Sequence, residues 1–101
     1  MHVQIINFKL AGITEEQYRK VATELAPSYA SVPGLTSKVW LANPSTNTFG
    51  GVYYWRDKGA MEECTGTELF KSVATHPNLV EITSTDFEIM EEPTRITRGA
   101  V

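Results

Sequence analysis

Apolar positions alternate from the start of the chain. Val3 to Leu10 reads VQIINFKL, which puts Ile6, Phe8 and Leu10 on one face of a strand. Val3 and Ile5 share the other face with Asn7 and Lys9. A strand that is apolar on both faces is usually covered on both. Gly12 breaks the alternation and a helical period follows. Thr14 and Gln17 have the spacing of a capping box, and Ile13 and Tyr18 that of a hydrophobic staple. Tyr18, Val21, Ala22, Leu25, Tyr29 and Val32 then form one apolar stripe. Pro27 lies within it and lacks an N–H, which predicts a kinked or split helix. Pro33-Gly34 ends the segment.

Two β-rich runs come next, Leu35 to Asn43 (LTSKVWLAN) and Phe49 to Arg56 (FGGVYYWR). The short polar loop Pro44 to Thr48 between them predicts an antiparallel hairpin. Gly50-Gly51 inside a strand marks a bulge or the close approach of another group. Asp57 is placed to cap a second helical region, Lys58 to about Thr75. Thr65-Gly66-Thr67 interrupts that region. Thr65 and Glu68 have capping-box spacing, so two short helices are expected, with Met61, Cys64, Leu69, Phe70, Val73 and Ala74 facing the sheet. Leu79 to Glu91 reads as a long strand ended by Pro93, and residues 94–101 as a C-terminal arm.

Strand, helix, strand, strand, helix, strand is the split βαβ, or ferredoxin-like, order: an α+β fold whose four-stranded antiparallel sheet carries its helices on one face. One helical layer leaves the other face bare. Val3, Ile5, Trp40 or its neighbours, and Tyr53 or Tyr54 would form an apolar patch there, which a homodimer with face-to-face sheets would cover.

Composition narrows the class. A chain of 101 residues, 42% hydrophobic and 21% charged, fits a single globular domain, residues 1–101. A net charge of −3 gives no basic face for nucleic acid. No apolar run reaches the roughly 20 residues of a membrane helix, and the first ten residues lack the basic and small-residue features of a signal peptide. The single thiol, Cys64, forms no internal disulfide and suits a reducing cytoplasm.

Metal binding is not indicated, because His2 and His76 are far apart and neither HxxxH nor CxxC spacing occurs. His2 reads as solvated, His76 as a histidine at a helix C-terminus, and Cys64 as a small core residue. Gly50-Gly51 lies within a strand and makes no phosphate loop, so no nucleotide cofactor is expected. Trp40, Phe49, Tyr53, Tyr54 and Trp55 crowd onto the hairpin, with Tyr53 and Trp55 on one face and Tyr54 and Arg56 on the other. Such residues fill cores; together they also suit an apolar pocket for a flat ligand.

Pro33 to Trp40 (PGLTSKVW), Gly50 to Tyr53 (GGVY), and Phe87 to Ile89 with Glu92-Pro93 resemble the YdhR-like monooxygenases. That family belongs to the dimeric α/β-barrel superfamily with the antibiotic-biosynthesis monooxygenases, and the likeness runs along essentially the whole chain. It implies a ferredoxin-like subunit, a homodimer and an apolar cavity in each subunit. The expected activity is a cofactor-independent monooxygenase acting on a small aromatic or polycyclic phenol. The substrate's own anion would supply the electrons to O2, and the protein would bind the ring, help remove a proton and steady the oxyanion. Asn7 and Trp40 are assigned as donors to that oxyanion, and Tyr53 and Trp55 as stacking partners with Phe8 as a wall. Arg56 is assigned charge stabilisation and His76 proton transfer. Two alternatives stand beside this reading. One is haem degradation, for which Asn7, Trp55 and His76 occur in the order of haem-degrading relatives. The other is a small-ligand binding protein or isomerase on the same fold.

Overall fold

The computed structural model describes residues 1–99. Its elements are β1 (His2–Leu10), α1 (Glu15–Ala30), β2 (Leu35–Asn43), β3 (Thr48–Trp55), α2 (Lys58–Thr65), α3 (Glu68–Ala74), β4 (Leu79–Glu88) and α4 (Glu91–Ile96). The strands form one antiparallel sheet in the order β2-β3-β1-β4, the ferredoxin-like arrangement. No helix among the described residues is long and apolar enough to cross a membrane.

Strand register decides which residues meet the helices. Ile6, Phe8, Phe49, Tyr53 and Trp55 pack with Tyr18 and Tyr29 of α1 and Ala60, Met61 and Cys64 of α2 in one core. The opposite face carries the rows Val39, Val52, Ile5, Thr85 and Ser37, Tyr54, Val3, Phe87. No layer covers those rows among the described residues, and Val39 and Phe87 stay half exposed. The bare patch is therefore built from Val39 and Tyr54, while Trp40 and Tyr53 turn toward the helices.

Local signals account for most boundaries. The Thr14 hydroxyl accepts from the Gln17 N–H at 3.1 Å, and the Gln17 side chain accepts from the Thr14 N–H at 2.8 Å. Asp57 caps α2 by accepting from the Ala60 N–H at 2.8 Å.

Five details differ from the sequence reading. Pro27 does not split α1; the turn beyond it is anchored by Tyr29, which is only 3% exposed. The cap of α3 is Thr67, not Thr65, because α2 runs through Thr65 before the chain turns. β4 stops at Glu88, and α4 follows with Pro93 in its first turn, where a missing N–H costs no helical bond. Thr94 to Ile96 of the expected arm thus belong to a helix, and residues 100–101 lie outside the described residues. His2 is not solvated: alternation turns it toward the covered face, where Nε2 lies 2.6 Å from Asp86.

The glycine pair serves two close approaches at once. A methyl group on Gly50 would sit 1.8 Å from the Ile6 carbonyl oxygen, so β1 and β3 meet there only without a side chain. Gly50→Ala is expected to destabilise the fold by about 3 kcal/mol in urea titrations. A loss below about 0.5 kcal/mol, the scale of an ordinary surface change, would show that the strands part freely.

Candidate functional site

Between the sheet and α1 lies a cavity of ≈ 370 Å3. Phe8, Lys38, Trp40 and Tyr53 form its floor, Tyr18, Leu25 and Tyr29 its helical wall, and His76 part of its rim. Apolar walls with few polar groups are the usual make-up of a small-molecule site, and this volume is near the lower end for one.

One of the polar groups that line it is an amine. Lys38 Nζ lies 3.4 Å from the centre of the Trp40 ring, 3.5 Å from Tyr29 and 4.5 Å from Tyr53. Alternation along β2 puts Lys38 and Trp40 on the same face, and register sets Lys38 opposite Tyr53. Gly51 completes the arrangement, because a Cβ there would come within 2.9 Å of Lys38 Cε. The missing side chain leaves the space that the lysine stem fills. Among the described residues no carboxylate pairs with the amine, and the cavity wall contains neither Asp nor Glu.

Burial pushes the Lys38 pKa down to about 7, and Cys64 opposes that shift. The ring faces also oppose it, since their quadrupoles attract the charged form. The result is an amine that changes charge near neutrality. The phenols move the other way: burial pushes Tyr18 up to about 12 and raises Tyr29 and Tyr53 as well. They stay protonated and offer O–H donors. Burial likewise raises the Cys64 thiol, which is therefore a core group and not a nucleophile.

The residues singled out in the sequence divide into two sets. Phe8, Trp40, Tyr53 and His76 come together at the cavity. Asn7 lies on the opposite sheet face, in the row Leu41, Gly50, Asn7, Thr83. Trp55 shares the face of Tyr53 but lies beyond it at 1% exposure, stacked on that ring at 6.1 Å and donating to Gln4 Oε1 at 3.1 Å. Arg56 is exposed beyond the end of β3, with Nε 3.3 Å from Asp57. Lys38 was missed, although its place two residues before Trp40 and its opposition to a glycine-bearing strand were both visible.

His76 follows α3 in the turn to β4. Its Nδ1 accepts from the Asn78 backbone N–H at 3.1 Å, so in the neutral ring Nε2 carries the proton. A metal-bound histidine has the reverse arrangement, donating from the ring nitrogen that does not hold the metal. With Asn7 on the far face and Trp55 behind Tyr53, these three residues do not assemble a haem-binding set.

Fold and cavity together define a ferredoxin-like α+β protein with an aromatic site between sheet and helices. The chain belongs to the family described as "Putative mono-oxygenase ydhR", whose model matches residues 3–100. No curated sequence matches it. Among solved structures it is similar to a "putative antibiotic biosynthesis monooxygenase" from Deinococcus radiodurans, at 16% identity and a TM-score of 0.73, covering 90% of this chain and 94% of that one. A mutant of SnoaB, described as a cofactor-independent oxygenase from Streptomyces nogalater, matches at 18% identity and a TM-score of 0.69, covering 89% and 94%. The haem degrader MhuD from Mycobacterium tuberculosis matches at 16% identity and a TM-score of 0.71, covering 89% and 96%. At these identities the likeness is one of fold.

Lys38 also couples stability to pH. Its folded pKa is about 7 against 10.5 for an ordinary lysine, so between those values the unfolded chain binds more protons. Stability should therefore rise from pH 7 to 9.5, with the full cost of burying the charge present below pH 7. Lys38→Met should remove this rise, making the variant more stable than wild type at pH 6 and the gap smaller at pH 9. Urea midpoints across that range test it; parallel curves for the two proteins would show that the amine is solvated.

Proposed function

We propose that this protein is a cofactor-independent monooxygenase that accepts a small flat aromatic bearing an ionisable hydroxyl or enolisable carbonyl. The observation that carries this reading is the Lys38 amine, held by three rings in an apolar cavity with no carboxylate partner among the described residues. Membership of the ydhR family supports it.

In this reading the ring lies between Phe8 and Trp40, with its acidic group at Nζ. The neutral amine takes the substrate proton, and the ammonium so formed stays beside the oxyanion. The electron-rich anion then reacts with O2: one oxygen atom bonds to the ring carbon and the other leaves as water. A phenol plus O2 gives a quinone plus water, so no external reductant enters the balance. The Tyr53 hydroxyl and Trp40 N–H are the nearby donors for the developing charge, and the His76 Nε2–H serves proton transfer at the rim. Asn7, Trp55 and Arg56 have no part in it. The haem alternative has the fold likeness to MhuD behind it, but the direction of the His76 hydrogen bond does not suit an iron ligand.

The homodimer belongs to the same proposal. Val3, Ile5, Val39, Val52, Tyr54 and Phe87 lie in adjacent rows of the uncovered face, and a second copy offers the matching surface through a two-fold axis. The lone thiol is consistent with a cytoplasmic setting.

Oxygen uptake with naphthols and anthrone, without added metal or cofactor, tests the activity. Turnover is expected, and Lys38→Met should lower it by about 100-fold or more. No uptake with any ligand shown to bind, or full uptake in the variant, would sink the proposal. For the assembly, light scattering at micromolar concentration should give twice the 11.2 kDa chain mass; a monomer would leave the sheet face unexplained.

A further inference from the structure

We propose that Lys38 is also a nucleophile, and that the cavity forms an imine at Nζ with aromatic aldehydes and ketones. This inference rests on the cavity itself and does not require the oxygenase reading.

Three features of the site favour carbonyl chemistry. First, Nζ is fixed: its stem fills the space left by Gly51, and its head lies against Tyr29 and Trp40. A carbonyl carbon beside those rings would meet an amine already in position, which removes much of the orientational cost of addition. Second, no carboxylate pairs with the amine among the described residues, so the lone pair is not committed to an ion pair. Desolvation in an apolar pocket is one of the recognised ways of activating a lysine. With a pKa near 7, about half of Lys38 is unprotonated at pH 7, against roughly one in three thousand for a lysine of pKa 10.5. Third, proton donors line the same space. The Tyr53 phenol stays protonated, and the His76 Nε2–H is at the rim.

The step is balanced without oxidant or reductant. The nitrogen lone pair attacks the carbonyl carbon, a C–N bond forms, and the C=O π pair moves to oxygen. That oxygen takes one proton from the nitrogen and one from a nearby donor, and leaves as water as the C=N bond forms, which gives the iminium. The iminium is an electron sink, so with aryl ketones that carry an α-hydrogen the class of reaction it opens is proton removal from that carbon, the chemistry of lyases and isomerases; an aryl aldehyde has no such proton and stops at the imine.

Reductive trapping tests this directly. Wild-type protein is incubated with 2-naphthaldehyde and cyanoborohydride at pH 7, and the labelled peptides are mapped by mass spectrometry. The expected result is a single adduct on Lys38, formed at least about ten times faster than on Lys9, Lys20, Lys58 or Lys71, the margin left after a low-pKa amine's weaker nucleophilicity. Preference for 2-naphthaldehyde over acetaldehyde should accompany it, because only the former stacks. Lys38→Arg, which keeps a cation but not the nucleophile, should lose the adduct while retaining the circular dichroism spectrum of wild type. Even labelling of all five lysines, or none on Lys38, would overturn the proposal. Because trapping is run without oxygen, its failure leaves the monooxygenase reading standing, and failure of oxygen uptake leaves this one standing.

Discussion

An amine buried among ring faces is expensive to hold when, as among the described residues here, no carboxylate pairs with it, and much of this molecule is arranged around holding one. The Lys38 ammonium loses water on burial and recovers part of that loss from the faces of Tyr29, Trp40 and Tyr53. Each partner comes from a different element. Trp40 shares β2 with the lysine, Tyr53 stands opposite on β3, and Tyr29 is in the last turn of α1. Moving any of the three elements by one residue would break the cage. Continuity of α1 through Pro27 therefore matters, because Tyr29 lies beyond the proline. The edge-on contacts of Tyr29 with Trp40 at 5.6 Å and with Tyr53 at 5.9 Å join helix and sheet at that point.

The glycine pair of β3 carries the backbone side of the same constraint. Gly50 lets β1 approach closely, and Gly51 leaves the volume that Lys38 occupies. Both properties weaken an isolated strand, since glycine has no side chain to pack and loses more entropy on ordering. β3 tolerates them because it is central, paired with β2 on one side and β1 on the other. The buried rings Phe49, Tyr53 and Trp55 flank the pair.

The order of elements, the uncovered sheet face and the aromatic hairpin were legible in the sequence, because alternation, helical spacing and capping residues are local signals. The site was only half legible, and the reason is positional. Alternation assigns residues to faces, but it does not say which face meets the helices, nor how far along that face the cavity extends. Asn7 shares the face of Val3 and Ile5, which alternation already gave to the bare patch, and Trp55 fell on the wrong side of the second uncertainty. Lys38 was hidden by its own chemistry: a lysine in a strand is ordinarily read as pointing to water. Recognising it required the register that places it opposite Tyr53 and beside Gly51. The cap at Thr67 shows the same limit on a smaller scale. Thr65 had the better capping-box partner, but the hydroxyl positioned to accept from an N–H was two residues later.

Burial acts in opposite directions on the two kinds of titratable group in this cavity. It lowers the amine and raises the phenols, so at neutral pH all of them can be uncharged. An apolar molecule then enters without displacing a fixed charge. In the proposed chemistry a neutral Lys38 takes the ligand's proton, and both ions then form together within the low-dielectric site, where their attraction is strongest. Pairs of groups whose pKa values are driven apart by one environment are a common basis for acid–base assignments in enzymes. In the proposed reading the base and one of its donors follow from one feature, a lysine and a tryptophan two residues apart on a strand that lies opposite a glycine.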